Sequence, residues 1–488
     1  MSFSVIASLV VAAVVAYALL KRTKVDSGMP LPPGPKRLPL IGNLLDMPTD
    51  GADWVTYRKW SQQYNSDVIY LNVAGQSIVI LNSWDAVNDL IEKRSNLYSS
   101  RPIRTMVNGL MGWDCIFAFM PYGERWRQQR KMFYQEFTPT AALRYNTQES
   151  VATAVLLNRL LDTPDDWVQH LRLQAGEVVM SVAYGISVKD EKDMFLDVIE
   201  KALAGLNIAA RPGAFLVDIL PILKYVPSWM PGAGFKRMAE EWREATKQMV
   251  DLPYQAAKDG IASGTATPSY TSYLLEGLDP KADNTEAETM IKQTAGAIYS
   301  AGADTSVAVL RSFVLAMVWY PEVQKKAQAE LDAVLGKGHL PEFSDEASLP
   351  YCNALVKEVF RWRPATPIAI PRETDTEDVY QGMRIPASTV IINNAWAILH
   401  DERNFPEPEV FKPERFLKDG KLNPDVMDPT EVGSFGFGRR VCPGRFLAMN
   451  SVWITVTSML AAMNITQAVD ESGAIIEPTG EMTGGMVQ

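Results

Sequence analysis

One cysteine sits where sulfur could do chemistry. Cys442 lies in Phe435-Gly436-Phe437-Gly438-Arg439-Arg440-Val441-Cys442-Pro443-Gly444, just ahead of an apolar segment that reads as a helix over 446–463. Glycines at this density allow a tight backbone turn against a flat object. A helix N-terminus stabilises negative charge and so favours a thiolate over a thiol. Arg440 adds a fixed cation two residues away. The bland alternative is a glycine-rich loop with an incidental buried cysteine, but the spacing F-x-x-G-x-R-x-C-x-G is too specific for it. A second candidate is Ala301-Gly302-Ala303-Asp304-Thr305-Ser306, within a long proline-free stretch. A glycine inside a helix costs ~1 kcal/mol relative to alanine, so it needs a reason. That reason is either close helix packing or room beside a reacting centre, where an adjacent acid and hydroxyl can carry protons.

The other metal-ligating residues are few. The 488-residue chain has three His and three Cys, and 47 Lys+Arg against 57 Asp+Glu give a net charge of −10. Three cysteines cannot build a disulfide framework. No C-x-x-C or H-E-x-x-H spacing occurs, which argues against zinc modules. The acidic balance argues against a nucleic-acid binder. Cys115 and Cys352 sit among apolar residues as core thiols. His170, His339 and His400 lie far apart and read as structural or surface residues.

The elements that must position Cys442 and Asp304 are mainly helices. Residues 285–320 contain no proline and stop at Pro321, which predicts a helix ~50 Å long. Residues 68–73 and 77–81 alternate around Ala74-Gly75-Gln76 as a hairpin. A second short sheet is expected at 389–392, and an irregular, proline-punctuated stretch at 401–429. No flexible linker divides the body, so residues 41–488 are expected to form one large domain, mainly α with a small β-sheet region. Ahead of it, residues 1–20 carry no charge. Twenty helical residues span ~30 Å, the thickness of a bilayer core, and Lys21-Arg22-Thr23-Lys24 follow at once. Residues 1–24 are therefore expected to be a single transmembrane anchor with a basic stop, leaving the body cytosolic. A cleaved signal peptide, suggested by Ala16-Tyr17-Ala18, is disfavoured because the cations follow the apolar run. Residues 25–40, with Pro30-Leu31-Pro32-Pro33-Gly34-Pro35, read as a stiff hinge.

The Cys442 segment resembles the haem-binding loop of the cytochrome P-450 family, and the landmarks match in order along the whole chain. The resemblance implies the fold of that family and a haem b whose axial iron ligand is the Cys442 thiolate. It places Phe435 near the sulfur, with Gly438 and Gly444 shaping the loop. Arg440, Trp126, Arg130 and Arg372 become partners of the haem propionates. It reads residues 301–306 as the oxygen-activation motif, with Gly302 giving room and Asp304 and Thr305 delivering protons; Ser306 replaces the usual threonine and keeps the hydroxyl. It assigns Glu358 and Arg361, with Arg415 of Pro413-Glu414-Arg415-Phe416, to a structural ion network.

By the same resemblance the chain is a membrane-anchored monooxygenase of the endoplasmic reticulum, acting with O2 on a lipophilic small molecule. No flavin domain is present, so electrons come from an NADPH–cytochrome P-450 reductase, with cytochrome b5 as a further partner. Arg125, Arg127 and Lys131 are a candidate docking surface. Residues 106–119 would roof the pocket and 203–215 would cover its access. Leu110-Met111-Gly112-Trp113 and Pro231-Gly232-Ala233-Gly234-Phe235-Lys236-Arg237 look like mushroom-type fungal members of secondary metabolism. Those include terpenoid oxidases, which we favour, and an indole-amine hydroxylase. Two alternatives share the fold: an isomerase or dehydratase acting on peroxides without O2, and a non-catalytic haem sensor. Asp304-Thr305 argues against the first, and the lack of a signalling domain against the second.

Overall fold

The computed structural model describes residues 28–482 apart from 50, 189–192, 212 and 471, together with 487. The expected anchor, residues 1–24, lies outside them. The chain divides into two compact units. The first holds the described residues up to Pro102 together with Ile368–Ile398; the second holds Ile103–Pro367 and the described residues from Leu399 onward.

The first unit is built on a short helix, α1 (Asp53–Gln63), and a four-stranded sheet. β1 (Val68–Val73) and β2 (Gln76–Leu81) pair antiparallel from Val68 opposite Leu81 to Val73 opposite Gln76. Ala74 and Gly75 both take positive φ, +48° and +90°. This is the turn geometry whose twist matches paired strands, and the expected hairpin is present. β3 (Arg372–Glu373) is followed by a separate hairpin of β4 (Asp378–Tyr380) and β5 (Met383–Ile385), and then by β6 (Val390–Asn393). β6 does not start a second sheet, as its sequence suggested. It runs parallel to β2, with Ile78 opposite Val390, and carries β3 on its other edge. An apolar run without alternation suits a strand covered on both faces, and Ile391, Ile392 and Asn393 are all buried.

The proline-rich segment from Pro30 is docked on this unit. The Tyr70 N–H donates to the Pro33 carbonyl (2.9 Å), and the Arg384 N–H to the Pro30 carbonyl (2.8 Å). A Cβ at Gly34 would lie 2.2 Å from the Tyr70 carbonyl oxygen, so only glycine lets the backbones approach this closely. Arg372 is 2% exposed on β3, and its Nη1 donates to the Tyr98 carbonyl at 3.4 Å. Burial pushes its guanidinium down to about 10, with Glu92 opposing.

The second unit is helical. Its main helices are α2 (Glu124–Glu136), α3 (Asn146–Asp162), α4 (Trp167–Tyr184), α5 (Met194–Ala209), α6 (Gly234–Ser263), α7 (Tyr270–Glu276), α8 (Thr285–Trp319), α9 (Pro321–Leu335), α10 (Pro350–Trp362) and α11 (Arg445–Ala462). α8 has the length the sequence predicted, with Glu286 and Glu288 at its positive end and Pro321 terminating it. It is long and apolar enough to cross a membrane, but here it is the axis of the core. Ile291–Tyr299 contributes buried side chains to a first apolar cluster, with α2, α4, α5 and α6. Val307–Met317 does the same for a second cluster, with α9, α10 and α11. Between the two, Ala301 is exposed and residues 302–306 are half-buried.

The irregular stretch before the cysteine loop is held by ions rather than by regular structure. It contains only a turn at Pro413–Phe416 and a two-residue hairpin of β7 (Leu417–Lys418) and β8 (Lys421–Leu422). Glu358 on α10 is fully buried. It accepts from Arg361 Nε (2.7 Å) and Nη2 (2.8 Å), from Arg415 Nε (3.1 Å to each oxygen) and from the Lys412 N–H (2.8 Å). The two guanidiniums also donate to carbonyls: Arg361 to Leu399 (3.0 Å), and Arg415 to Pro406 (2.6 Å) and Glu407 (3.1 Å). One carboxylate and a ring of carbonyls thus satisfy two buried cations and fix the path of 399–415.

Candidate active site

The cysteine loop is closed by its own backbone. The Cys442 N–H donates to the Phe435 carbonyl at 2.8 Å, and the Val441 N–H to that of Gly438 at 3.0 Å. Gly436 and Gly438 take φ of +74° and +53°, which makes the turn affordable for glycine alone. Ser434 Oγ donates to the Phe360 and Pro429 carbonyls, both at 2.9 Å, and the Phe435 ring lies 5.2 Å from that of Phe360. The loop is therefore anchored to α10, the helix that carries Glu358. Gly444 caps α11, which starts at Arg445, one residue before its expected start.

The electrostatics around the sulfur differ from the sequence reading. Burial pushes the Cys442 thiol up, whereas the Gly444 N–H, Arg130 and Arg445 draw it down. These cations come from α2 and from the first residue of α11. Arg440 points elsewhere: Nη1 and Nη2 donate to the Phe117 (3.1 Å) and Met120 (2.8 Å) carbonyls, and its guanidinium stacks 4.3 Å from the Trp126 ring. Arg130 Nη2 donates to the Val441 carbonyl at 2.7 Å. Burial pushes Arg130 down to about 10, and the Cys442 sulfur opposes that shift. Sequence reasoning missed Arg445; its signal was a cation three residues past the cysteine, on the first turn of the following helix. The other two cysteines behave as core thiols: Cys352 is fully buried, and burial raises Cys115 to about 11.

The second unit thus brings together Cys442, Phe435, Gly438, Gly444, Arg440, Trp126 and Arg130; Arg372 belongs to the first unit. On α8, Gly302 faces α4. A Cβ there would lie 2.4 Å from Val179 Cγ1, so close helix packing is sufficient reason for the glycine. Gly302→Ala is expected to destabilise the protein by about 1–3 kcal/mol through overpacking. Adding Val179→Ala should recover most of that loss in denaturant unfolding; no recovery would return the glycine to the reacting centre. Asp304 is half-buried; burial raises its carboxyl, and Arg172 of α4 opposes. Thr305 Oγ1 donates back to the Ala301 carbonyl at 2.8 Å.

These residues fit a haem. The donor set is one soft sulfur with guanidiniums suited to carboxylates and a flanking indole. The break between the two apolar clusters falls at 301–306 on α8. The cysteine loop and the first turn of α11 together straddle it, with Phe435 of the loop packed against the second cluster and Leu447 of α11 in the first.

Comparison with known proteins agrees. The family model for cytochrome P-450 matches residues 32–479. Cytochrome P-450 monooxygenase 98 of Postia placenta is 48% identical over 474 residues, 97% of this chain and 90% of the relative. Tryptamine 4-monooxygenase of Psilocybe cyanescens is 43% identical over 482 residues, 98% of this chain and 94% of the relative. Cytochrome P-450 monooxygenase ple1 of Rhodocybe pseudopiperita is 43% identical over 458 residues, 94% and 87%. Similarity at this level spans the thiol loop and the Glu358 network alike, and the chain belongs to the cytochrome P-450 family.

Proposed function

We propose that this cytochrome P-450 monooxygenase tailors a lipophilic small molecule of fungal secondary metabolism. We further propose that it uses haem b held by Cys442, with electrons from an NADPH–cytochrome P-450 reductase and cytochrome b5 as an auxiliary donor. The observation that carries this reading is the closed Cys442 loop set at the break between the two apolar clusters. Bound haem supplies the activation of dioxygen and the transfer of one oxygen atom to carbon. The chain's own residues do the rest. Cys442 presents the sulfur, and the Phe435 carbonyl holds the loop that aims it. Arg130 and Arg440 supply fixed positive charge for the two carboxylates, and Trp126 backs Arg440. Asp304 is assigned the uptake and release of protons beside Thr305; burial raises its carboxyl, and Arg172 opposes. Thr305 offers a hydroxyl one residue on. Asp304→Asn is expected to slow NADPH-driven turnover at least about tenfold, the low end of what a positioned acid contributes. The carbon monoxide spectrum should stay unchanged, and unaltered turnover would remove Asp304 from the proton path.

A terpenoid is the first substrate class, as the resemblance suggests. The roof residues Met106, Met111, Trp113, Ile116 and Phe117 are all buried in the first apolar cluster, so they support an apolar lining no more than ordinary packing. An indole amine is the second class, favoured by the 43% identity to tryptamine 4-monooxygenase. Co-expression with a reductase, followed by untargeted product profiling on terpenoid and indole substrates under labelled dioxygen, tests the reading. One labelled oxygen atom per product is expected, and turnover of peroxides without NADPH would overturn it. Anchoring in the endoplasmic reticulum membrane is supported by the uncharged N-terminal run and the cations after it.

The reductase is proposed to dock on α2. Arg125, Arg127 and Lys131 are exposed there. Arg127 is already paired with Glu124 at 2.6 Å, so Arg125 and Lys131 carry the uncompensated charge. Reversing both to glutamate is expected to raise the apparent KM for reductase severalfold at low salt, with the effect shrinking as salt rises. A reductase titration identical to wild type would rule the surface out.

A further inference from the structure

The seam where α3 packs along α11 carries a row of polar side chains. Near its start Asn450 Nδ2 donates to Asn146 Oδ1 at 3.3 Å. Further along, Thr153 Oγ1 and Thr455 Oγ1 lie 3.3 Å apart, and Gln174 Nε2 of α4 donates to Thr455 Oγ1 at 3.2 Å. Glu149 stands between these two ties, three residues past Asn146 and four before Thr153, and so on the same face of α3. It is fully buried, and neither carboxyl oxygen has a hydrogen-bond partner. Glu358, equally buried, is met by two guanidiniums; among the described residues no cation meets Glu149. On α11, residues 446–462 carry no ionisable side chain, and Arg445 at its start reaches toward Glu431 at 3.7 Å. On α4, Arg172 is exposed, Glu177 faces Arg159 at 3.8 Å, His170 Nε2 bonds Thr163, and the Tyr184 ring packs edge-on against that of Tyr299. In the turns at the two ends of α3, Asp162, Asp165 and Asp166 are exposed, Arg144 pairs with Glu136 at 2.7 Å, and the Tyr145 hydroxyl is buried without a partner.

An isolated buried carboxylate is far costlier than a buried neutral acid. The seam also favours the acid. Gln174 Oε1 has no donor there, and a carboxylic O–H can donate where a carboxylate can only accept. Burial alone pushes the Glu149 carboxyl well above its ordinary range. We propose that Glu149 is a proton-operated latch: as the neutral acid it lets α3 and α11 close into a tightly packed seam, and losing the proton opens that seam to water. Once the seam opens, the carboxyl regains an ordinary acidity. The closed form therefore holds one proton more than the open form, from the ordinary carboxylate range up to the raised value. Closure is at full strength below that window and weakens about tenfold per pH unit through it. α11 begins three residues after Cys442, so an open seam loosens the helix behind the sulfur. That consequence rests on the haem reading; the latch itself does not.

Amide exchange of α3 and α11 in the full-length, haem-loaded protein tests the latch by comparison with Glu149→Gln, which cannot ionise. At each pH the ratio of wild-type to variant exchange cancels the intrinsic chemistry of the amides. For amides flanking Glu149 that ratio should grow about tenfold per pH unit from mildly acidic to neutral pH. A flat ratio overturns the latch. Glu149→Met, apolar and of similar size, gives the same comparison if the glutamine variant folds poorly. Infrared spectra add a readout independent of stability. A protonated-carboxyl stretch is expected in wild type and should vanish in both variants; finding no such band overturns the latch as well. The thiolate-type carbon monoxide band should fade faster with rising pH in wild type than in the variants. Equal fading alongside pH-dependent exchange overturns the reach of the latch to the sulfur. If wild type shows no such band at any pH, the haem reading fails, and amide exchange still decides the latch.

Discussion

Cys442→Ala is expected to abolish the thiolate-type band in the reduced carbon monoxide difference spectrum, and with it NADPH-driven product formation. The loop should survive the change. Its closure runs through backbone groups, Cys442 N–H to the Phe435 carbonyl and Val441 N–H to the Gly438 carbonyl, and through the Ser434 hydroxyl on α10. None of these uses the sulfur. Loss of the band should therefore occur in a folded protein, with stability within about 1–2 kcal/mol of wild type for removal of one small side chain. Cys115→Ser and Cys352→Ala serve as controls and should leave the band in place, because burial keeps both thiols protonated. A thiolate-type band persisting in Cys442→Ala would falsify the assignment of the ligand.

Glu358→Gln is expected to be the most destabilising single substitution in the scaffold. The neutral amide leaves the Arg361 and Arg415 guanidiniums, 0% and 6% exposed, without their shared negative charge. Breaking a buried pair from one side costs roughly 3–5 kcal/mol. The damage should also spread, because Arg415 and Arg361 fix carbonyls across 399–410 and α10 carries the Ser434 and Phe435 anchors of the cysteine loop. Poor haem retention should accompany the fall in stability. Asp425→Asn breaks the exposed pair with Lys418, whose side chains are 74% and 63% exposed. It should change stability by less than about 1 kcal/mol. Equal losses for the two variants in denaturant unfolding would show that burial of the network does not matter.

Much of the site was legible because it is local. The glycines around Cys442, the proline-free run of α8 ending at Pro321 and the Ala74-Gly75 turn all announce themselves within a dozen residues. What stayed hidden was long-range. Nothing in 389–392 says that its partner is β2, three hundred residues earlier, and so the strand read as a second sheet. Arg440 was read as the sulfur's cation because it is near in sequence; space puts Arg130 and Arg445 there instead, with Arg440 stacked on Trp126. Gly302 was compatible with two reasons, and only the position of Val179 on α4 supplies the first.

The parallel pairing of β2 with β6 also sets a timetable during synthesis. β1 covers one side of β2 at once, and the proline segment is available early to cover β1 through Tyr70. The other edge of β2 must wait for Val390–Asn393, a delay of about 310 residues from Leu81 to Asn393. At ~5–20 residues per second the ribosome needs roughly 15–60 s to deliver that strand. Throughout that interval the nascent chain presents Ile78–Leu81 as an unpaired, strongly apolar edge, the kind of template that recruits stray strands. Slowing translation late in the message, or diluting chaperones, should thus lower the yield of this protein through its first hundred residues.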